Sequence, residues 1–164
     1  MADENPYAPP EADVTVSKST ELAGLGLRLG GAIIDTIIAL AILFPLMYVA
    51  GYWESAMAGE ESIADALIWA AVGMVVFVIV HGYLLAKSGQ TVGKRLVGTR
   101  IVSVQDDKIL PFGRVIGLRY LPVWIVSQVP AVGPILGLVD VLFIFRRDRR
   151  CVHDLIAGTK VVMA

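Results

Sequence analysis

The sequence is poor in the residues that most soluble chemistry requires. It holds a single cysteine and two histidines. One cysteine excludes an intrachain disulfide, and no Cys/His cluster at metal-ligand spacing is present. Cys151 reads as an incidental thiol in a polar tail. Charge is scarce as well, at 18% of residues against about 25% in a soluble domain. A net charge of −1 offers no basic field for nucleic acid. A secretory signal, basic and then apolar, is also missing. The opening stretch MADENPYAPPEADVTVSKS is acidic and carries prolines, so residues 1–20 are expected to form a disordered cytoplasmic tail.

What fills the chain instead is apolar. Hydrophobic residues make up 56% of it and the mean hydropathy is +0.70. Residues 36–53, 66–86 and 121–139 contain no charged side chain, each about the 17–25 residues that cross a hydrocarbon core as a helix. Three such runs would leave a soluble domain little polar surface. The expectation is an all-α membrane protein of the inner (cytoplasmic) membrane. Its membrane domain would cover residues 21–164, with helices over about 22–52 and 63–86.

Charge placement sets the expected topology. Glu54, Glu60, Glu61 and Asp65 lie between the first two helices without a Lys or Arg. Residues 87–114 form a loop rich in Lys and Arg, which the positive-inside rule puts in the cytoplasm. Tyr48, Tyr52 and Trp53 suit the outer interface. The tail over 146–164 opens with Arg146, Arg147, Arg149 and Arg150 and also belongs in the cytoplasm. Residues 115–145 must then turn back. Pro130, Gly133 and Pro134 break that segment into a helical hairpin with arms over about 115–128 and 135–145. Three plain spans, with an external C-terminus, are the rival topology.

The loop is expected to carry a small cytoplasmic β element. Residues 98–104 alternate with β-branched side chains, Asp106-Asp107 resembles a turn, and 108–111 offers a returning strand. Residues 155–162 also echo 96–102, so two similar helix-to-strand units could pair as edges of one sheet.

Arg28 and Asp35 share one helix face, about 10.5 Å apart along the axis, too far for contact. Asp35 and Asp140 both fall inside apolar runs, where an unpaired carboxylate costs at least about 2.5–3.5 kcal/mol. Two accounts compete. Arg28, Arg114 or Arg119 could clamp these acids between helices, or the acids could together bind a cation or proton. His81 could join a proton relay with Asp35, or be a hydrogen-bonded interior histidine. The segment GQTVGKR (89–95) lacks the spacing and the Ser/Thr of a P-loop. Its glycines suit a sharp turn, with Lys94 and Arg95 on anionic lipid head groups. His153-Asp154 has no nucleophile beside it; Asp154 reads as a helix cap or a surface salt link to the Arg run. Gly26/Gly30 and Gly133/Gly137 have the spacing that lets helices pack closely, a weak sign of homo-oligomers.

These residues together resemble the RDD family. Arg28 at the start of the first helix, Asp35 in its middle and Asp140 at the end of the last apolar run match the Arg-Asp-Asp signature. GQTVGKRLVGTRIV (89–102), FGRV (112–115) and HDLIAGT (153–159) match that family's other characteristic stretches. The resemblance implies a bacterial or archaeal membrane protein of a family mostly without an assigned activity, some relatives being linked to sodium/proton antiport; no enzyme and no cofactor are expected. It therefore points to cation or proton handling, the alternative being a membrane scaffold or assembly factor acting through a basic cytoplasmic face.

Overall fold

The computed structural model describes residues 21–60, 62–129 and 132–164. The expected tail over 1–20, Glu61, Pro130 of the expected hairpin break, and Ala131 lie outside the described residues.

Two long helices dominate. Helix α1 spans Leu25–Val49 and α3 spans Ile63–Ser88, 25 and 26 residues, each about 38 Å long at 1.5 Å per residue. Both are long and apolar enough to cross a membrane. The most apolar window of α1 is 0% buried and that of α3 only 6%, so neither is the core helix of a soluble domain. Many of their Ile, Leu and Val side chains point outward, Ile37 and Ile79 being 60% and 75% exposed. A capping box starts α3: Ser62 Oγ accepts the Asp65 N–H at 3.1 Å, and the Asp65 carboxylate accepts the Ser62 N–H at 3.0 Å. The short helix α2 (Tyr52–Ala58) links the two and stacks Trp53 on Phe44 and Tyr52 on Trp69.

After α3 the chain turns sharply at Gly89 (φ +66), where a Cβ would collide with the Ile101 carbonyl. Helix α4 (Val92–Leu96) and strand β1 (Thr99–Ser103) follow. Residues 112–127 then form one helical arm: α5 (Phe112–Arg114), a π-helical stretch (Val115–Tyr120) and α6 (Leu121–Ser127). Helix α7 (Val132–Leu142) and a 3-10 turn (Phe143–Phe145) return. Val123 and Val126 of α6 face Val139 and Leu136 of α7 across a shared hollow, so the arms are antiparallel. Trp124 seats on α3 over Gly73, where a Cβ would come within 2.8 Å of its ring, and donates its indole N–H to the Ala70 carbonyl at 3.0 Å.

The chain ends in α8 (Val152–Ala157) and β2 (Thr159–Met163). β1 pairs antiparallel with β2, Ile101 opposite Val161. Residues 108–111 do not form the returning strand expected of them; the Lys108 carbonyl accepts the Ser103 N–H at 2.9 Å and merely closes the turn. The distant tail wins because it brings a full row of alternating β-branched residues (Thr159, Val161) to the buried face, whereas Pro111 ends the nearer candidate. Ala23, Leu85, Ile101, Leu110, Val115 and Val161 make the core beneath this sheet.

The two helix-to-strand units are structural repeats sixty positions apart, 89–102 and 149–162. Gly89 and Arg149 open them, both with positive φ. Gly98 and Gly158 join helix to strand, at φ +69 and +67. The Gln90 side chain donates to the Thr99 carbonyl at 2.8 Å, and the Arg150 side chain donates to the Thr159 carbonyl at 2.9 Å. The Ile101–Val161 pair lies on the local two-fold axis relating them.

Candidate functional site

The polar groups of the apolar segments converge on α4 and α8. Asp35, nearly three turns into α1, reaches the start of α4. Its Oδ1 accepts the Gly93 N–H at 2.7 Å and its Oδ2 accepts the Thr91 hydroxyl at 2.5 Å. Thr91 is the N-cap residue of α4 and also receives the Lys94 N–H at 3.2 Å. A carboxylate here answers orphan N–H groups and the positive helix end. The close approach depends on Gly93, where any Cβ would meet the Gly31 carbonyl and the Asp35 carboxylate.

His81 completes this side. It is buried, stacks on Phe77 at 4.8 Å, and accepts the Val92 N–H on Nδ1 at 3.2 Å. Nδ1 is thus an acceptor, and in the neutral ring the proton sits on Nε2, which lies 3.9 Å from Asp35 Oδ1.

Asp140 does at α8 what Asp35 does at α4. Its Oδ1 accepts the His153 backbone N–H at 2.9 Å, while the His153 ring donates Nδ1–H to Oδ2 at 2.6 Å. His153 Nε2 is 3.8 Å from Asp154 Oδ2. Burial and the Arg119 charge lower the affinity of the His153 ring for a second proton, against Asp140 and Asp154.

Asp154 is the hub. It is fully buried, a cap and far more than a surface link. Its Oδ2 pairs with Arg28 at 2.7 Å and accepts the Cys151 N–H at 3.2 Å; its Oδ1 pairs with Arg119 and accepts the Thr159 hydroxyl at 2.8 Å. Arg28 also donates to the Arg149 carbonyl, presented by that residue's left-handed backbone (φ +49). Burial alone would raise the Asp154 carboxyl, but Arg119, His153 and Arg28 hold it well below the usual carboxylate range. Arg28 and Arg119 therefore clamp helices together through Asp154, while Asp35 and Asp140 hold backbone amides and histidines. Arg114 is exposed, with its guanidinium beside Gly158, and forms no ion pair among the described residues.

Lys94 and Arg95 diverge. Arg95 is exposed, whereas Lys94 is half-buried and turned inward. Lys94 joins Asp35, Arg119, Tyr120 and His153 around a cavity of about 240 Å³. Burial pushes the Lys94 ammonium down to about 8, helped by Arg119 and Arg28 and opposed by Asp35. Its ammonium makes no ion pair and no hydrogen bond among the described residues.

Cys151 is buried beneath Arg28, not in a solvated tail. Its Sγ, Asp140 and His153 present ligand atoms within 4.8 Å of one another. That trio is a poor metal centre on its own chemistry. Asp140 and His153 satisfy each other, and burial pushes the thiol up to about 11 despite Arg28 nearby. A metal cation there would also face two guanidiniums.

Sequence reasoning missed Asp154 as the partner of Arg28, and Thr91 and Thr159 as members of the site. The sixty-residue repeat was the available signal: it places Thr91 on Cys151 and Lys94 on Asp154 at the same positions of two capped helices.

The model of the RDD family matches residues 22–158. A relative from Bacillus subtilis (strain 168), the "Uncharacterized protein YckC", is 30% identical over 145 residues, covering 87% of this chain and 85% of its own. An "Uncharacterized protein" from Haemophilus influenzae (strain ATCC 51907 / DSM 11121 / KW20 / Rd) is 32% identical over 93 residues, 56% of each chain. No solved structure matches significantly. Family and the two long apolar helices together point to a membrane protein, and the chain belongs to the RDD family.

Proposed function

We propose that this RDD protein handles protons or a small cation at the cytoplasmic side of the inner membrane. In this reading α1 and α3 span the bilayer, and residues 112–145 enter and leave by the cytoplasmic face. The pairing of β1 with β2 supports the return, because a bilayer cannot run between two hydrogen-bonded strands. Arg119 and Asp140, in opposite arms, also bind adjacent residues of α8. Both termini are then cytoplasmic.

The observation that carries the reading is the cavity of about 240 Å³ bordered by Asp35, Lys94 and His153. It lies between two carboxylate–histidine pairs, Asp35 with His81 and Asp140 with His153. Ionisable groups facing a cavity inside a membrane domain are functional candidates. Lys94, with a proton affinity near neutrality, can give up a proton when a cation approaches Asp35. A gated path in so small a chain would use more than one copy. The reading requires no catalytic group.

The test is flux. Purified protein in vesicles with an imposed pH gradient is expected to collapse that gradient when sodium or another monovalent cation is added. Asp35→Asn and Asp140→Asn, if folded, should abolish the response. Folded wild-type protein without cation-dependent flux would remove the proposal. One observation favours a scaffold instead: Asp35 and Asp140 are already engaged as helix caps. Capture of a partner through exposed Arg95, Lys108 and Arg146, without flux, would support that alternative.

A further inference from the structure

A second cavity, of about 290 Å³, opens between α1 and the end of α7. Its walls are apolar: Leu25 and Leu29 on one side, Val141 and Phe145 on the other. Leu29, Val141 and Phe145 are 57%, 52% and 71% exposed, so the groove faces outward, where the membrane reading puts lipid. Its floor is cationic, made by Arg28, Lys94 and Arg119. Arg28 and Arg119 are committed to Asp154. Lys94 is the floor group left without an ion pair among the described residues.

An apolar slot ending in an unpaired ammonium backed by two guanidiniums complements one kind of molecule on a membrane: an anionic headgroup attached to an acyl chain. We infer that this groove binds an anionic phospholipid, its phosphate on Lys94 and an acyl chain between α1 and α7. The site is distinct from the open surface, where Arg95 of the same short helix is exposed and lines no part of the groove. Lys94 lines both cavities, so a bound phosphate would hold the lysine charged and draw it away from Asp35. Headgroup binding would thereby tune the neighbouring cavity.

The inference rests on the membrane reading but not on transport, and the experiment separates the two. Full-length protein in detergent is offered phosphatidylglycerol, phosphatidylcholine or glycerol 3-phosphate, and retained molecules are counted by native mass spectrometry. Wild type should retain phosphatidylglycerol about fivefold better than phosphatidylcholine, the effect of one cation on an anionic headgroup. Lys94→Gln should lose the preference; Lys94→Arg and Arg95→Gln should keep it. Rescue by arginine distinguishes lost charge from lost folding. Asp35→Asn should keep the preference even where flux is gone. Equal retention of the two lipids by wild type, or equal losses in Lys94→Gln and Arg95→Gln, would overturn the inference. So would binding of glycerol 3-phosphate as tight as that of phosphatidylglycerol, which would make this a site for soluble phosphates.

Discussion

Asp35 stands to Gly93 as Asp140 stands to His153: each carboxylate accepts the N–H of the second residue of a short helix, at 2.7 and 2.9 Å. The two acids come from different helices, and the units they cap are sixty positions apart in sequence. Arg28, Asp35 and Asp140, which resemble the family's signature, thus mark three attachments of the apolar segments to one small helix-and-sheet element. Asp35 holds α4, Asp140 holds α8, and Arg28 holds Asp154.

Asp154 binds two guanidiniums with no exposure to water. Removing its charge leaves both uncompensated, and breaking such a buried pair costs about 3–5 kcal/mol. Asp154→Asn is expected to lower the folded yield and the unfolding temperature in detergent by more than Arg95→Gln does. Arg28→Ala and Arg119→Ala should each be destabilising, with double variants less than additive because all three share one network.

The same carboxyl predicts a pH dependence. Its folded-state proton affinity is depressed well below the ordinary aspartate value of 3.8. The stabilisation is therefore complete above that value and is lost as pH falls through it, because the unfolded chain takes up the proton first. Melting temperatures of wild type should begin to drop below about pH 5 and go on falling beneath pH 3, and Asp154→Asn should lack this component. Parallel curves for the two proteins would contradict the assignment.

Gly93→Ala should pry α4 from α1, since the new Cβ meets the Gly31 carbonyl and the Asp35 carboxylate. Overpacking of this kind costs about 1–3 kcal/mol. Gly137→Ala, in open space on α7, is the matched control, expected to be neutral or stabilising by up to about 1 kcal/mol. Thermal unfolding of the two variants side by side checks the contrast.

Much of this was legible in residue order. Uninterrupted apolar runs announce α1 and α3, and the depth of Asp35 follows from its place in the first. The echo of 96–102 in 155–162 anticipates the pairing of β1 with β2. The partner of Arg28 was not legible, because Asp154 lies 126 positions away and no local spacing rule reaches it. The density of Arg146, Arg147, Arg149 and Arg150 also suggests a solvated tail. In the fold Arg149 donates to the Leu22 and Ala23 carbonyls, and Arg150 to those of Asp154 and Thr159. Backbone carbonyls absorb those charges, which a count of side chains does not foresee.

Cys151 reports on this burial. Its thiol is pushed up to about 11 by burial, so the thiolate at neutral pH is scarcer than in the unfolded chain. Iodoacetamide should modify the denatured protein rapidly and the folded protein, whose thiol is buried, much more slowly. Comparable rates would show that the tail is open.

The central structural claim is that the chain returns to the face it left, so that α4, α8 and the sheet form one element on one side of the membrane. The direct measurement is the compartment of two reporters in living cells, one in the turn at Asp106 and one after Ala164. Both are predicted to be cytoplasmic. A cytoplasmic Asp106 with an extracytoplasmic C-terminus would contradict the account, since β1 and β2 could not then pair and Asp140 could not share a level with Asp35.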